Sequence, residues 1–225
     1  MSDYQDLCEM YGRSASDPDF IDDLIDGNPR GGDFHVEDFD WFKDSEDKNH
    51  YQLLMDQINS IDTILNLQVP VDAKFSFLVM IHAHVVSSVE AYLAGVFIHE
   101  VCNSETLTRK LIETNPELSK RQFTLGELYQ TKDKLKATVA TYLKDLIFHD
   151  LKKIKPMYES VLGHQFSELS WLFQAVAVRH HCVHRAGYDK DNKQIDVSVD
   201  SINRLLNSAI SLADDIDHTI CEIHT

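Results

Sequence analysis

The residues with the most chemical potential in this chain are Val178-Arg179-His180-His181-Cys182-Val183-His184-Arg185-Ala186-Gly187. Two arginines and three histidines fall between positions 179 and 185. Arginine is a permanent cation with a planar fork of donors, and histidine exchanges protons near neutrality. Together they are what phosphodiester chemistry asks of a protein that works without a metal. On a helix, Arg179 and His184 lie about 140° apart, whereas His180 and His184 are neighbours one turn apart. The same residues could also be a solvated, basic last turn that complements the helix dipole.

The surrounding chain must position this segment, and its composition favours helices. It has 225 residues, is 43% hydrophobic, and contains only 8 glycines and 5 prolines, enough for one substantial core. The four cysteines, Cys8, Cys102, Cys182 and Cys221, are scattered without a Cys-x-x-Cys pair. That pattern suits a reducing, cytoplasmic setting better than a disulfide framework or a zinc site. The start lacks the basic and apolar regions of a signal peptide. The greasiest run, Phe75 to Val86, is interrupted by His82 and His84, so no membrane span is expected.

The net charge of −16 is unevenly spread. Residues 1–70 carry 17 Asp/Glu against 4 Lys/Arg, and the remaining 155 carry 20 against 17. The acidity thus belongs to the N-terminal third and does not exclude an anionic partner for the rest. Residues 1–46 mix carboxylates with Tyr4, Tyr11, Phe20, Phe34, Phe39, Trp41 and Phe42, and short helices are expected near 3–12 and 18–26.

Further on, apolar spacing predicts a helix over 47–67 ended by Pro70, and a buried central helix over 72–101. A short helix lies between Ser104 and Asn115, and another opens near Thr124. Helical pattern continues over 132–149 and 151–162, ending at Gly163. A helix beginning near Ser167–Ser170 carries the basic motif to Arg185, with Gly187 as its left-handed cap. A polar turn at 189–193, a short extended piece at 194–199, and a last helix over 201–222 capped by Ser198 or Asp200 complete the chain. The expected class is all-α: an acidic extension plus one helix at 1–69, and a helical bundle at 70–225.

The pattern Arg-[Asn/Asp/His]-x3-His at the end of a penultimate helix, then Arg-Ala-Gly, a polar turn and one last helix, resembles the HEPN superfamily. Ser87-Ser88-Val89-Glu90-Ala91-Tyr92-Leu93 is similar to that family's first core helix. Ile147–Leu151 and Tyr158–Gly163 are similar to the segment before the motif in its defence-associated branch. The resemblance spans about residues 70–222. It implies a HEPN-like helical bundle acting as a homodimer, and a metal-independent endoribonuclease of toxin or antiphage-defence type.

In the resemblance, His184 is the general acid/base, Arg179 stabilises the phosphorane, and His180 orients the pair or shares in substrate binding. Arg185 is an RNA phosphate contact, and Glu90 positions Arg179. RNA is the substrate, no cofactor or metal is required, and an antitoxin or regulatory protein is a further partner. The alternative within the same family is a catalytically silent module that binds nucleotide or protein. The subset paired with nucleotidyltransferase antitoxins carries Tyr two residues after the histidine. Here Ala186 stands there, and Tyr188 follows two residues later.

The acidic segment admits two roles, a solvated surface or a cover over the cationic groove. If it is a cover, deleting residues 1–46 raises RNA cleavage or toxicity. Unchanged cleavage by a folded truncated protein assigns it to the surface.

Overall fold

A computed structural model of the chain describes residues 49–120, 135–136 and 138–224. The helices expected near 3–12 and 18–26, and the opening near Thr124, lie outside these residues. The protein is all-α: among the described residues there is no strand, only one isolated bridge between Tyr188 and Gln194.

Helix α1 (His50–Leu65) starts at Asn49, whose side chain accepts from the Gln52 amide at 3.0 Å. Leu54, Ile58 and Ile61 form its buried stripe. The helix closes before Pro70 can act, because the Asn66 side chain donates to the Asp62 carbonyl at 2.8 Å and competes with the ladder. Although grouped by sequence with the acidic extension, α1 packs against α2 (Lys74–Asn103) and α6 (Val199–Ile223). At its start, His50 closes on Gly95 of α2, where any Cβ would collide with the imidazole.

Helix α2 is roughly 45 Å long at 1.5 Å per residue and is covered on most sides. It is long and apolar enough to cross a membrane, with mean hydropathy 1.5 over its most apolar stretch, despite the interrupting histidines. Half of that stretch is buried inside the protein, and buried positions along the helix include polar His82 and Glu100.

Three side chains tie α2 to its neighbours. Tyr158 is fully buried and donates to the Leu93 carbonyl at 2.6 Å. Tyr92 donates to the Ala213 carbonyl of α6 at 3.1 Å. His82 Nε2 lies 3.1 Å from the Ala175 carbonyl of α5 (Ser170–Arg185). A carbonyl can only accept, so the proton of neutral His82 sits on Nε2. Each such bond adds about 0.5–1.5 kcal/mol net, and leaving its buried polar group unpaired would cost more.

Helix α3 (Glu105–Thr114) is capped by Ser104, whose hydroxyl accepts from the Leu107 amide. A helical stretch at 138–144 ends earlier than the pattern predicts. The chain turns there, burying Phe148 beside Phe97 with ring centroids 6.3 Å apart. Helix α4 (Leu151–Met157) contains Pro156, which has no amide hydrogen to give to the ladder. It passes into a π turn over Tyr158–Leu162, then ends at Gly163 with φ 77°.

Helix α6 opens with a reciprocal cap between Ser198 and Ser201, which settles the choice between Ser198 and Asp200. Leu205, Leu206, Leu212 and Ile216 are buried, while Ile210 is half-buried. The expected extended piece is reduced to the Tyr188–Gln194 bridge, and Val199 is already helical.

Burial holds His82 below the ordinary imidazole pKa of 6.5, and burial does the same to His164. The folded protein then binds fewer protons than the unfolded chain, so stability rises with pH across this range. Acidification from pH 7 should lower the melting temperature as the medium passes below 6.5. His82→Gln should flatten that dependence, which melting curves at several pH values will read.

Candidate functional site

Helix α5 is built to hold its C-terminal turn in a defined place. At its start the Glu168 carboxylate accepts from the Ser170 amide at 2.7 Å, and that bond holds the carboxyl below its usual range. Leu172, Ala175 and Cys182 form its buried side. Burial pushes the Cys182 thiol up to about 11, which makes it a core group rather than a nucleophile.

The helix runs antiparallel to α2. His82 meets Ala175, while Phe75 and Val79 lie beside Gly187. At the end, Ala186 has φ 50° and Gly187 has φ 86°, and the Gly187 amide donates to the His181 carbonyl at 3.0 Å. The expected cap at Gly187 is therefore present, extended one residue back to Ala186. A Cβ on Gly187 would come within 2.5 Å of Val79 Cγ2 and 2.8 Å of Phe75 Cζ. Tyr188 follows with its ring edge-on to Phe75, centroids 5.8 Å apart.

The basic residues divide between two sides of α5. His180 and His184 are both exposed, with ring centroids 4.7 Å apart and planes tilted by 46°. Partial desolvation lowers the His180 pKa first, followed by the positive surroundings of His184, His181, Arg185 and Arg179. Arg185 is exposed in the last turn, where the helix dipole favours a cation.

Arg179 is half-buried, and among the described residues its buried Nε has no hydrogen-bond partner. Its position is only about 40° round the helix from Ala175, whereas His184 stands about 180° from it. The chain therefore joins His180 to His184 but directs Arg179 to the inner flank. His181 is also half-buried, with an unpartnered Nδ1.

Glu90 is not brought to Arg179. Its Oε2 lies 3.3 Å from His149 Nδ1, while the buried Oε1 has no hydrogen-bond partner among the described residues. Glu90 is eight residues beyond His82 on α2, and Arg179 is four beyond Ala175 in the opposite direction. At 1.5 Å per residue they are separated by roughly 18 Å along the helix axes. The pairing with His149 replaces the expected role of positioning Arg179. No sequence spacing could have signalled it, because the two residues come from different elements.

Among the described residues, no group of three or more His, Cys, Asp or Glu converges on a metal position. The arrangement offers two adjacent imidazoles for proton transfer or ligation, with fixed cations nearby. Compared with protein-family models, curated proteins and solved structures, the chain shows no match.

The two cap positions should respond in opposite directions. Ala186→Gly relieves a left-handed alanine and should stabilise the protein by about 0.5–1 kcal/mol. Gly187→Ala meets both the φ restriction and the Val79–Phe75 wall and should destabilise it by about 1–3 kcal/mol. Chemical denaturation of the two variants measures both signs.

Proposed function

We propose that this protein is a metal-independent endoribonuclease of HEPN type, with a toxin or antiphage-defence role, whose site is completed across a homodimer. The observation that carries this reading is the exposed His180–His184 pair at the end of α5, with Arg179 and Arg185 in the same two turns. Cleavage through the RNA's own 2′-OH needs a base to remove that proton. It also needs an acid for the departing 5′-oxygen, and cations for the crowded phosphorane. His184 serves as the acid/base and His180 as its orienting neighbour, while Arg179 and Arg185 bind phosphate charge.

A single copy falls short of this constellation, because it supplies His184 as one acid/base where the reaction needs both a base and an acid. A second copy related by a two-fold axis supplies another histidine and arginine on the far side of the phosphate. The products are then a 2′,3′-cyclic phosphate and a 5′-OH.

The second reading is a catalytically silent HEPN-like module that binds nucleotide or protein. It is favoured by the buried, unpartnered Nε of Arg179 and by the engagement of Glu90 with His149.

His184→Ala separates the two. As a nuclease, the variant should lose at least about 10²–10⁴-fold in cleavage while its sedimentation remains that of the parent dimer. End-group analysis of the cut RNA should show the cyclic phosphate. Equal cleavage by parent and variant removes His184 as the acid/base, whereas cleavage by neither leaves the binding module as the function.

A further inference from the structure

The His180–His184 pair has a second chemical capacity that does not depend on RNA. We propose that these two residues form a binding site for one transition-metal dication of the zinc, nickel or copper class. They sit four residues apart on a continuous helix, so both rings rise from the same face. Imidazole binds such ions at about 2.1 Å, which places the ion about 3.2 Å from the ring centre. Two rings sharing an ion at a nitrogen–metal–nitrogen angle of about 90–110° then have centroids about 4.5–5.3 Å apart. The observed separation of 4.7 Å falls within that interval.

Both residues are exposed, and among the described residues neither imidazole is engaged in a hydrogen bond or ion pair. The other histidine–histidine ring pairs among the described residues are less suitable. His180 and His181 are adjacent and 5.9 Å apart, with His181 Nδ1 buried. His50 and His99 belong to separate helices and meet edge-on at 5.7 Å, and His99 also contacts Asn103.

With no third side-chain ligand converging among the described residues, water completes the coordination. A second copy facing this one could instead contribute its own pair. Arg179 and Arg185 raise the local positive potential, which weakens the affinity. Copper(II) should bind more tightly than nickel(II) or zinc(II), following the general order for nitrogen ligands.

Occupancy has a consequence for the proposed activity. An imidazole nitrogen bonded to the ion has no lone pair for a proton, so His184 could not serve as the acid/base. The ion would then be an inhibitor of the ribonuclease. This consequence, unlike the site, rests on the ribonuclease reading.

The test is calorimetric titration of the full-length protein with nickel(II) or zinc(II) chloride, alongside His180→Ala, His184→Ala and His218→Gln. Circular dichroism confirms that each variant is folded. The parent should show one equivalent that is lost or weakened at least about tenfold in either motif variant, because one ligand alone lacks the chelate advantage. The His218→Gln titration should match the parent. Addition of the ion should also raise the parent's melting temperature, since only the folded helix presents the pair.

A parent that binds no ion, or the same equivalent in parent and both motif variants, overturns the site. RNA cleavage is measured separately with the ion and again after EDTA. Inhibition reversed by EDTA supports both the site and its consequence. Binding lost in the variants from a protein that cuts no RNA retains the site and removes the ribonuclease reading. Cleavage unaffected by a bound ion retains the site and removes His184 as the acid/base.

Discussion

The structure hangs on the burial of α2 and on the polar bonds that fix its rotation and height. Apolar burial alone would hold a long helix inside the bundle but would let its neighbours slide along it. Tyr158 on Leu93, Tyr92 on Ala213 and His82 on Ala175 each join a side chain to a specific carbonyl. Hydrogen bonds are directional and lose their strength when displaced, so these contacts set the register of three neighbouring segments. The cost of leaving such groups unpaired in a core enforces the same register.

The motif inherits its position from this arrangement. His82 sets the height of α5, and the tight approach of Gly187 to Phe75 and Val79 sets where α5 stops. Two successive left-handed residues then turn the chain out toward Tyr188 and its bridge to Gln194. The exposed histidines are thus carried on a helix anchored at its middle and at its end. Rigid support of that kind keeps two side chains at a defined separation.

Much of this was legible from local pattern. Leu54, Ile58 and Ile61 mark α1, the absence of glycine before Gly95 marks α2, and Ser104 and Ser198 mark the starts of α3 and α6. These signals are local because backbone amides near a helix end are satisfied by nearby side chains. One misread position depends on a distant partner: the helix predicted to reach 149 breaks where Phe148 finds Phe97. The helical pattern over 151–162 ends at Gly163 as expected, its last turn a π turn that buries Tyr158 against α2. At α1 the error was different: Asn66 ended the helix through a local bond before the more conspicuous Pro70.

The sequence by itself determined that the chain is helical, where the basic motif sits on its helix, and that His180 and His184 share a face. Those properties follow from residue spacing, since a helix repeats every 3.6 residues whatever surrounds it. Only the tertiary structure decided that Arg179 lies toward the inner flank of α5 with its Nε buried, and that Glu90 belongs to His149. Which partner a side chain meets is set by the packing of helices distant in sequence, and helical periodicity carries no information about the neighbour on the far side.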